Sequence, residues 1–297
     1  FATLWKNVAE NLGLHIVWIP GDWRHGINPS LVEEKLSEDS KHEIKAVLAV
    51  QTETSTGVTS QIPRIRAAID AAIHPALFLV DTVSSLACTE FRHDDWGVDV
   101  TVSGSQKGLM LPPGLSFNAV SEQALARAKS STAQHSYWRW DTILENNQLG
   151  YFPYTPNTNL LYGLDEALTL LHREGMDNVL ARHARLAEAT RRAVTAWGLE
   201  NLCMNPEEYC NSLTAVLVPE GYDADVLRKI ILERFNMSLG TGLGRLKGAI
   251  FRIGHLGDFN DLMLAGTLSG IEMGLALADI PHSSGGVDAA LEFLATN

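Results

Sequence analysis

A chain of 297 residues has room for roughly two domains and buries a substantial core without disulfides. Hydrophobic residues make up 45% and charged residues 20%, and the formal net charge of −12 argues against a partner recognised through its phosphate backbone. Three cysteines fit a reducing compartment rather than a disulfide scaffold, and no apolar run approaches the roughly 18 residues of a membrane span.

In chain order, Phe1-Ala2-Thr3-Leu4-Trp5 has neither the basic start nor the apolar stretch of a signal peptide. Leu4, Val8 and Leu12 share a helical face, and Gly13 stands where a helix ends. A helix that begins at residue 1 without a cap predicts further sequence upstream. His15 to Ile19 reads as a strand, and Asn28-Pro29-Ser30 opens a helix. Strands are predicted at Ala46–Val50, Ala76–Asp81, Val98–Ser103 and Leu115–Val120, with a helix from Ile62 to about Ile73. These strands are apolar throughout, the pattern of a mostly parallel sheet covered by helices on both faces. Residues 121–148 read as helical with a break near 130, and 150–159 as a loop. One long helical stretch runs from Leu160 to about Trp197 and carries Arg182, Arg185, Arg191 and Arg192 spread around it. Strands at Leu213–Pro219, Met237–Leu239 and Ile250–Ile253, with helices at Ala224–Arg234 and Asp258–Asp279, complete an α+β last third. The predicted division is 1–175 and 176–297.

Ligands of open α/β sheets bind at the carboxyl ends of strands. Three polar segments fall there: Gln51 to Gly57, Asp81 to Ser85, and Ser103 to Gly108. A lysine in a Ser/Gly-rich turn, with an aspartate at the tip of a neighbouring strand, suits pyridoxal phosphate. The amine forms a Schiff base with the aldehyde, and the carboxylate keeps the pyridine nitrogen protonated. Taken singly, Asp81 is also a good helix cap, Thr54 and Ser55 good turn caps, and Lys107 an ordinary surface lysine.

Four segments occur together and in order: Glu53-Thr54-Ser55-Thr56-Gly57-Val58; Val80-Asp81-Thr82-Val83-Ser84-Ser85; Ser103-Gly104-Ser105-Gln106-Lys107-Gly108 with Pro112-Pro113-Gly114; and Phe251-Arg252-Ile253-Gly254. Over essentially the whole chain the sequence resembles the class V, fold-type-I pyridoxal phosphate aminotransferases, in particular the serine–glyoxylate and alanine–glyoxylate enzymes. The resemblance implies transamination from serine or alanine to glyoxylate by ping-pong, in a cytoplasmic homodimer with a shared site. It implies that Lys107 holds the cofactor and moves the α-proton, and that Asp81 pairs with the ring nitrogen. Val83 then packs under the ring, Phe1 stacks on its other face, Thr54 meets the ring hydroxyl and Gln106 the phosphate. Arg252 clamps the substrate carboxylate, and Tyr154 and Thr155 reach the partner subunit's phosphate. The family's phosphate cup lies upstream of Phe1.

Three rivals stay open: a cysteine desulfurase, an aminotransferase taking pyridoxamine or aminoethylphosphonate, and a non-catalytic dimerising fragment. Gln106, rather than a histidine, precedes Lys107, which disfavours the desulfurase. The Gly240–Gly248 stretch reads as a flexible loop near the site mouth rather than a nucleotide loop. Cys203 and Cys210 lack zinc-site spacing, and His74, His172 and His183 are expected on helix surfaces or ends.

Overall fold

The computed structural model describes residues 1–132 and 136–297. Helix α1 (Ala2–Asn11) leads into an extended stretch without a ladder partner, so the strand expected at His15–Ile19 does not form. β-branched and aromatic residues there favour extension, but among the described residues no neighbour supplies a ladder. Helix α2 (Pro29–Glu38) starts as the sequence predicts: the Asn28 side chain accepts from Ser30 N–H at 3.0 Å, and Pro29 takes the first position.

Strand β1 (Ala46–Val50) runs into a tight hairpin, β2 (Thr52–Glu53) and β3 (Val58–Thr59), turned by Gly57 at φ +69°. Helix α3 (Ile62–Ala71), β4 (Leu77–Asp81), β5 (Val100–Gly104) and β6 (Ser116–Val120) follow. The first sheet has the order β1-β4-β5-β6, and its first three strands are parallel. Strand β6 is antiparallel to β5, against the all-apolar reading that groups it with the parallel strands. The eleven residues 105–115 that join the two contain no helix and fall short of the dozen or more that a parallel crossover needs. Ile65 and Ile69 of α3 and Val32 and Leu36 of α2 pack on Ala49, Phe78 and Val80.

Helices α4 (Glu122–Lys129) and α5 (Trp140–Gln148) fall within the predicted helical stretch, of which 133–135 lie outside the described residues. The long helix predicted from Leu160 is two: α6 (Thr158–Glu174) and α7 (Met176–Ala196). Gly175 between them has φ +84°, which ends one helix and redirects the chain. Strands β7 (Glu200–Asn201) and β8 (Leu213–Leu217), helix α8 (Ala224–Phe235), β9 (Gly240–Thr241) and β10 (Ile250–Gly254) come next. They form an antiparallel sheet in the order β7-β8-β10-β9. The strand expected at Met237–Leu239 is displaced to β9, because Asn236 in the left-handed region caps α8 first. The Gly240–Gly248 segment is packed rather than a free loop. A methyl on Gly242 would lie 2.0 Å from the Leu246 carbonyl oxygen.

Helices α9 (Asp261–Leu277) and α10 (Gly286–Thr296) close the chain. Periodicity does not single out α10, since Gly285-Gly286 signals a turn. A second core joins α7, α8, α9 and α10 to β8 and β10 through Trp197, Ile231, Phe251, Leu268 and Ile271, among others. No helix among the described residues is long and apolar enough to cross a membrane.

Candidate active site

At the carboxyl ends of β1, β4 and β5 the buried side chains turn polar: Thr54, Ser55, Thr82, Ser84, Ser103 and Ser105 are all withdrawn from solvent. Parallel pairing sets Asp81, the last residue of β4, between Val50 and Val102. Its Oδ1 accepts from Val83 N–H at 2.8 Å. Burial pushes the Asp81 carboxyl above its ordinary value, against the pull of that N–H, and the nearby Glu53 charge adds to the rise. Thr54 Oγ1 shares a short hydrogen bond with Ser84 Oγ, tying the loop after β1 to the loop after β4.

Lys107 lies in a turn directly after β5, held from beneath. Buried Ser105 donates its hydroxyl to the Pro112 carbonyl at 2.8 Å and accepts from Leu115 N–H at 3.2 Å. Met110 N–H closes the turn on the Lys107 carbonyl at 2.9 Å. Gly108 is required here, since a methyl would come 2.1 Å from the Leu86 carbonyl oxygen. Lys107 itself is half-buried, and among the described residues no hydrogen bond or ion pair engages its amine. Burial, and then the Arg252 charge, lower its pKa. An amine in that state is more nucleophilic at neutral pH than a surface lysine.

Arg252 comes from the middle of β10, in the other sheet. Its Nε donates to the Thr241 carbonyl at 2.8 Å and its Nη1 to the Thr54 carbonyl at 2.7 Å. Burial first, and then the charge of Arg228, press its pKa downward. No carboxylate pairs with it among the described residues, so its geometry is fixed by neutral acceptors while its charge is left for an anion.

Glu53 is a member the residue-by-residue reading does not assign. Its Oε2 accepts from the backbone nitrogens of Phe1 at 2.6 Å and Ala2 at 3.1 Å, and its Oε1 from the Ser55 hydroxyl at 2.6 Å. The signal was an acid embedded in an otherwise neutral polar run. Through Glu53 the backbone of Phe1 is tied to the same loop as Thr54, with the Phe1 side chain partly exposed. Val83, two residues after Asp81, is half-buried, and Gln106 is exposed on the turn beside Gly104.

The structure therefore links Arg252 to Thr54, Thr54 to the loop that follows Asp81 and holds Val83, and the Phe1 backbone to the Thr54 loop through Glu53, with Gln106 and Lys107 in the turn after the neighbouring strand β5. Tyr154 and Thr155 do not join this locus within the chain. Both are exposed, and Tyr154 stacks on Tyr137 with centroids 4.7 Å apart. His74 and His183, expected at the surface or at helix ends, are both buried. Chemically the locus offers an amine able to capture an aldehyde, a carboxyl able to hold a cationic heterocycle, and a guanidinium able to hold a carboxylate.

Comparison with known proteins agrees with this chemistry. The chain is 47% identical to a serine–glyoxylate aminotransferase of Methylorubrum extorquens, over 100% of this chain and 75% of that protein. It is 41% identical to an L-aspartate–glyoxylate aminotransferase of Paracoccus denitrificans, over 98% of this chain and 74% of that one. The crystal structure of pyridoxamine–pyruvate aminotransferase from Mesorhizobium loti superposes with a TM-score of 0.87 at 30% identity, covering 95% of this chain and 72% of that chain. The family model described as aminotransferase class-V matches residues 2–244. With the fold, the strand-end locus and these matches in agreement, the chain belongs to the class V aminotransferases.

Proposed function

We propose that the protein transfers the amino group of a small amino acid, serine or alanine, to glyoxylate with pyridoxal 5′-phosphate as its cofactor, giving glycine and a 2-oxo acid. The observation that carries this reading is the set of Asp81 at the end of β4, Lys107 in the turn after β5, and Arg252 in the middle of β10 of the other sheet, which donates to the Thr54 carbonyl of the loop after β1. The glyoxylate named for two of the relatives supports the acceptor.

The residues fit the cofactor. When bound, pyridoxal phosphate supplies an aldehyde that condenses with amines and a ring that accepts electrons. Asp81, oriented by Val83 N–H, holds the proton of the ring nitrogen, and that cation restores the carboxylate charge that burial disfavours. Val83 and Phe1 would hold the ring between them, and Thr54 would serve its hydroxyl. Gln106 serves the phosphate, joined by Tyr154 and Thr155 of the other subunit in a homodimer. Arg252 binds the substrate carboxylate and sets the α-carbon near Lys107. With its pKa lowered, Lys107 takes the α-proton and returns it, acting as base and then acid.

The same reading divides the chain at 1–175 and 176–297, supported by the break at Gly175 and by the two largest buried clusters, which lie one on each side, while a smaller cluster of Ala87, Leu109, Leu171 and Val179 joins the two parts. The desulfurase rival needs a reactive thiol. All three cysteines are buried, and burial pushes Cys88 up to about 12 and Cys203 up to about 11, the opposite of an activated thiol.

Borohydride reduction of the cofactor-loaded full-length protein, followed by peptide mapping, is expected to place a pyridoxyl group on Lys107. A panel of serine, alanine and aspartate with glyoxylate is expected to yield glycine fastest from serine or alanine. A label on another lysine, or no glycine from any donor, overturns the reading.

A further inference from the structure

We propose that His183 and Arg182 are positioning residues that hold the backbone on either side of Gly257 and so fix the loop after the Arg252 strand against the turn that carries Lys107. The catalytic part of this inference rests on the reading of Lys107 and Arg252 given above.

His183 is fully buried on α7. Its Nδ1 faces the Val179 carbonyl at 2.7 Å, which places the ring proton there and leaves Nε2 as an acceptor. Nε2 accepts from Gly257 N–H at 3.0 Å. Arg182, one residue earlier, donates from Nη1 to the Gly257 carbonyl at 2.7 Å and to the Phe259 carbonyl at 3.2 Å. Glu174 at the end of α6 holds the rest of that guanidinium, accepting from Nε at 2.7 Å and Nη2 at 2.9 Å. Both backbone polar groups of one residue, the N–H and the C=O of the two peptide units that meet at Gly257, are thus gripped by consecutive residues of one helix.

The gripped residue also abuts the Lys107 turn. A methyl on Gly257 would lie 3.3 Å from Met110 Cγ and 4.0 Å from the Lys107 carbonyl oxygen. Gly257 has φ +80°, so the loop takes a path that a side chain would resist on both counts. Gly257 lies five positions after Arg252, and β10 carries the guanidinium into the site from this anchor. Burial, reinforced by Arg182, lowers the His183 pKa, in keeping with a neutral ring that accepts. An apolar side chain would fill the same space without the directional bond and without the cost of desolvating an imidazole.

The test uses the full-length, cofactor-loaded protein and two variants, His183→Leu and His183→Gln, the latter with an amide oxygen that can accept. His183→Leu is expected to speed hydrogen exchange at the Gly257 amide about five- to tenfold, the factor for one lost hydrogen bond. Its kcat/KM for the amino donor is expected to fall on the order of tenfold, within what a small misplacement of reacting groups costs. His183→Gln is expected to recover most of both losses. If folded His183→Leu keeps wild-type exchange and turnover, or if His183→Gln is as impaired as His183→Leu, the proposal fails. Should His183→Leu not fold, Arg182→Lys replaces it, keeping the charge but losing the fork. Faster exchange across 256–260 with lower kcat/KM is then expected, and unchanged values overturn the grip. Borohydride labelling of a lysine other than Lys107 would end the catalytic reading alone, while Gly257 exchange would still judge the grip.

Discussion

Two regions of the molecule are shielded from water to different degrees and built on opposite principles. The core around Trp197, Phe251 and Ile271 is apolar across four helices and two strands, and its main concession is the Trp197 indole N–H, which donates to Glu272 at 2.7 Å. The ends of β1, β4 and β5 bury threonines and serines, and a half-buried aspartate, lysine and arginine stand beside them, the two cations with no carboxylate partner among the described residues. Burial of the first kind lowers free energy in proportion to area. Burial of the second kind costs free energy until a ligand of matching charge arrives. The contrast separates a region that holds the chain together from a region that holds something else.

That contrast can be broken most forcefully at Lys107. In the loaded full-length protein Lys107→Met is expected to lower kcat by about 10⁴-fold, the upper range for removing an acid–base group. The apo protein should not lose stability. The Lys107 pKa in the folded state lies below its ordinary 10.5, so the folded chain pays for a buried charge at neutral pH and is relieved as pH rises toward 10.5. Any gain in Tm for Lys107→Met is therefore largest near neutral pH and shrinks with increasing pH, which a pair of melting curves checks. A strong drop in apo Tm would mean that the lysine belongs to the stabilising region after all.

Trp197→Ala makes the converse case. It should cost about 3–5 kcal/mol in denaturant unfolding, as large-to-small changes in tight cores do. The kinetic constants of the folded fraction should stay as they were. A methyl on Gly286 would already touch the indole nitrogen at 2.1 Å, so the packing leaves little room for adjustment. Smallest of the three is Arg252→Lys, which exchanges a fork for a point charge. KM for the amino acid is expected to rise about 10- to 100-fold, from the loss of one charged hydrogen bond of about 1.5–3 kcal/mol. A fall in kcat with KM unchanged would remove Arg252 from the carboxylate-binding role and sharpen the boundary between the two regions.

Much of the site was legible because its chemistry is local. Asp81 ends an apolar run, Lys107 sits in a Ser/Gly turn, and both signals survive in one dimension. Arg252 stood out as a charge inside an apolar strand. Glu53 was not assigned because its value lies in the groups it receives: the Phe1 and Ala2 backbone and the Ser55 hydroxyl. His183 was placed on a surface because its helix spacing alone does not show that the Gly257 loop covers it. Strand β6 was grouped with the parallel strands because apolarity reports burial and not direction.

The sequence by itself determined the alternation of helices and apolar strands, the polar strand ends and the residue types that meet there, since propensity, capping and turn chemistry act within a few residues. Only the tertiary structure decided that Thr54 and Arg252, 198 positions apart, share a hydrogen bond, that Gly175 splits a long helix, and that α7 reaches back to hold the loop beside Lys107. Those outcomes depend on desolvation and on the partner each buried polar group finds, and both are properties of the packed chain rather than of any segment.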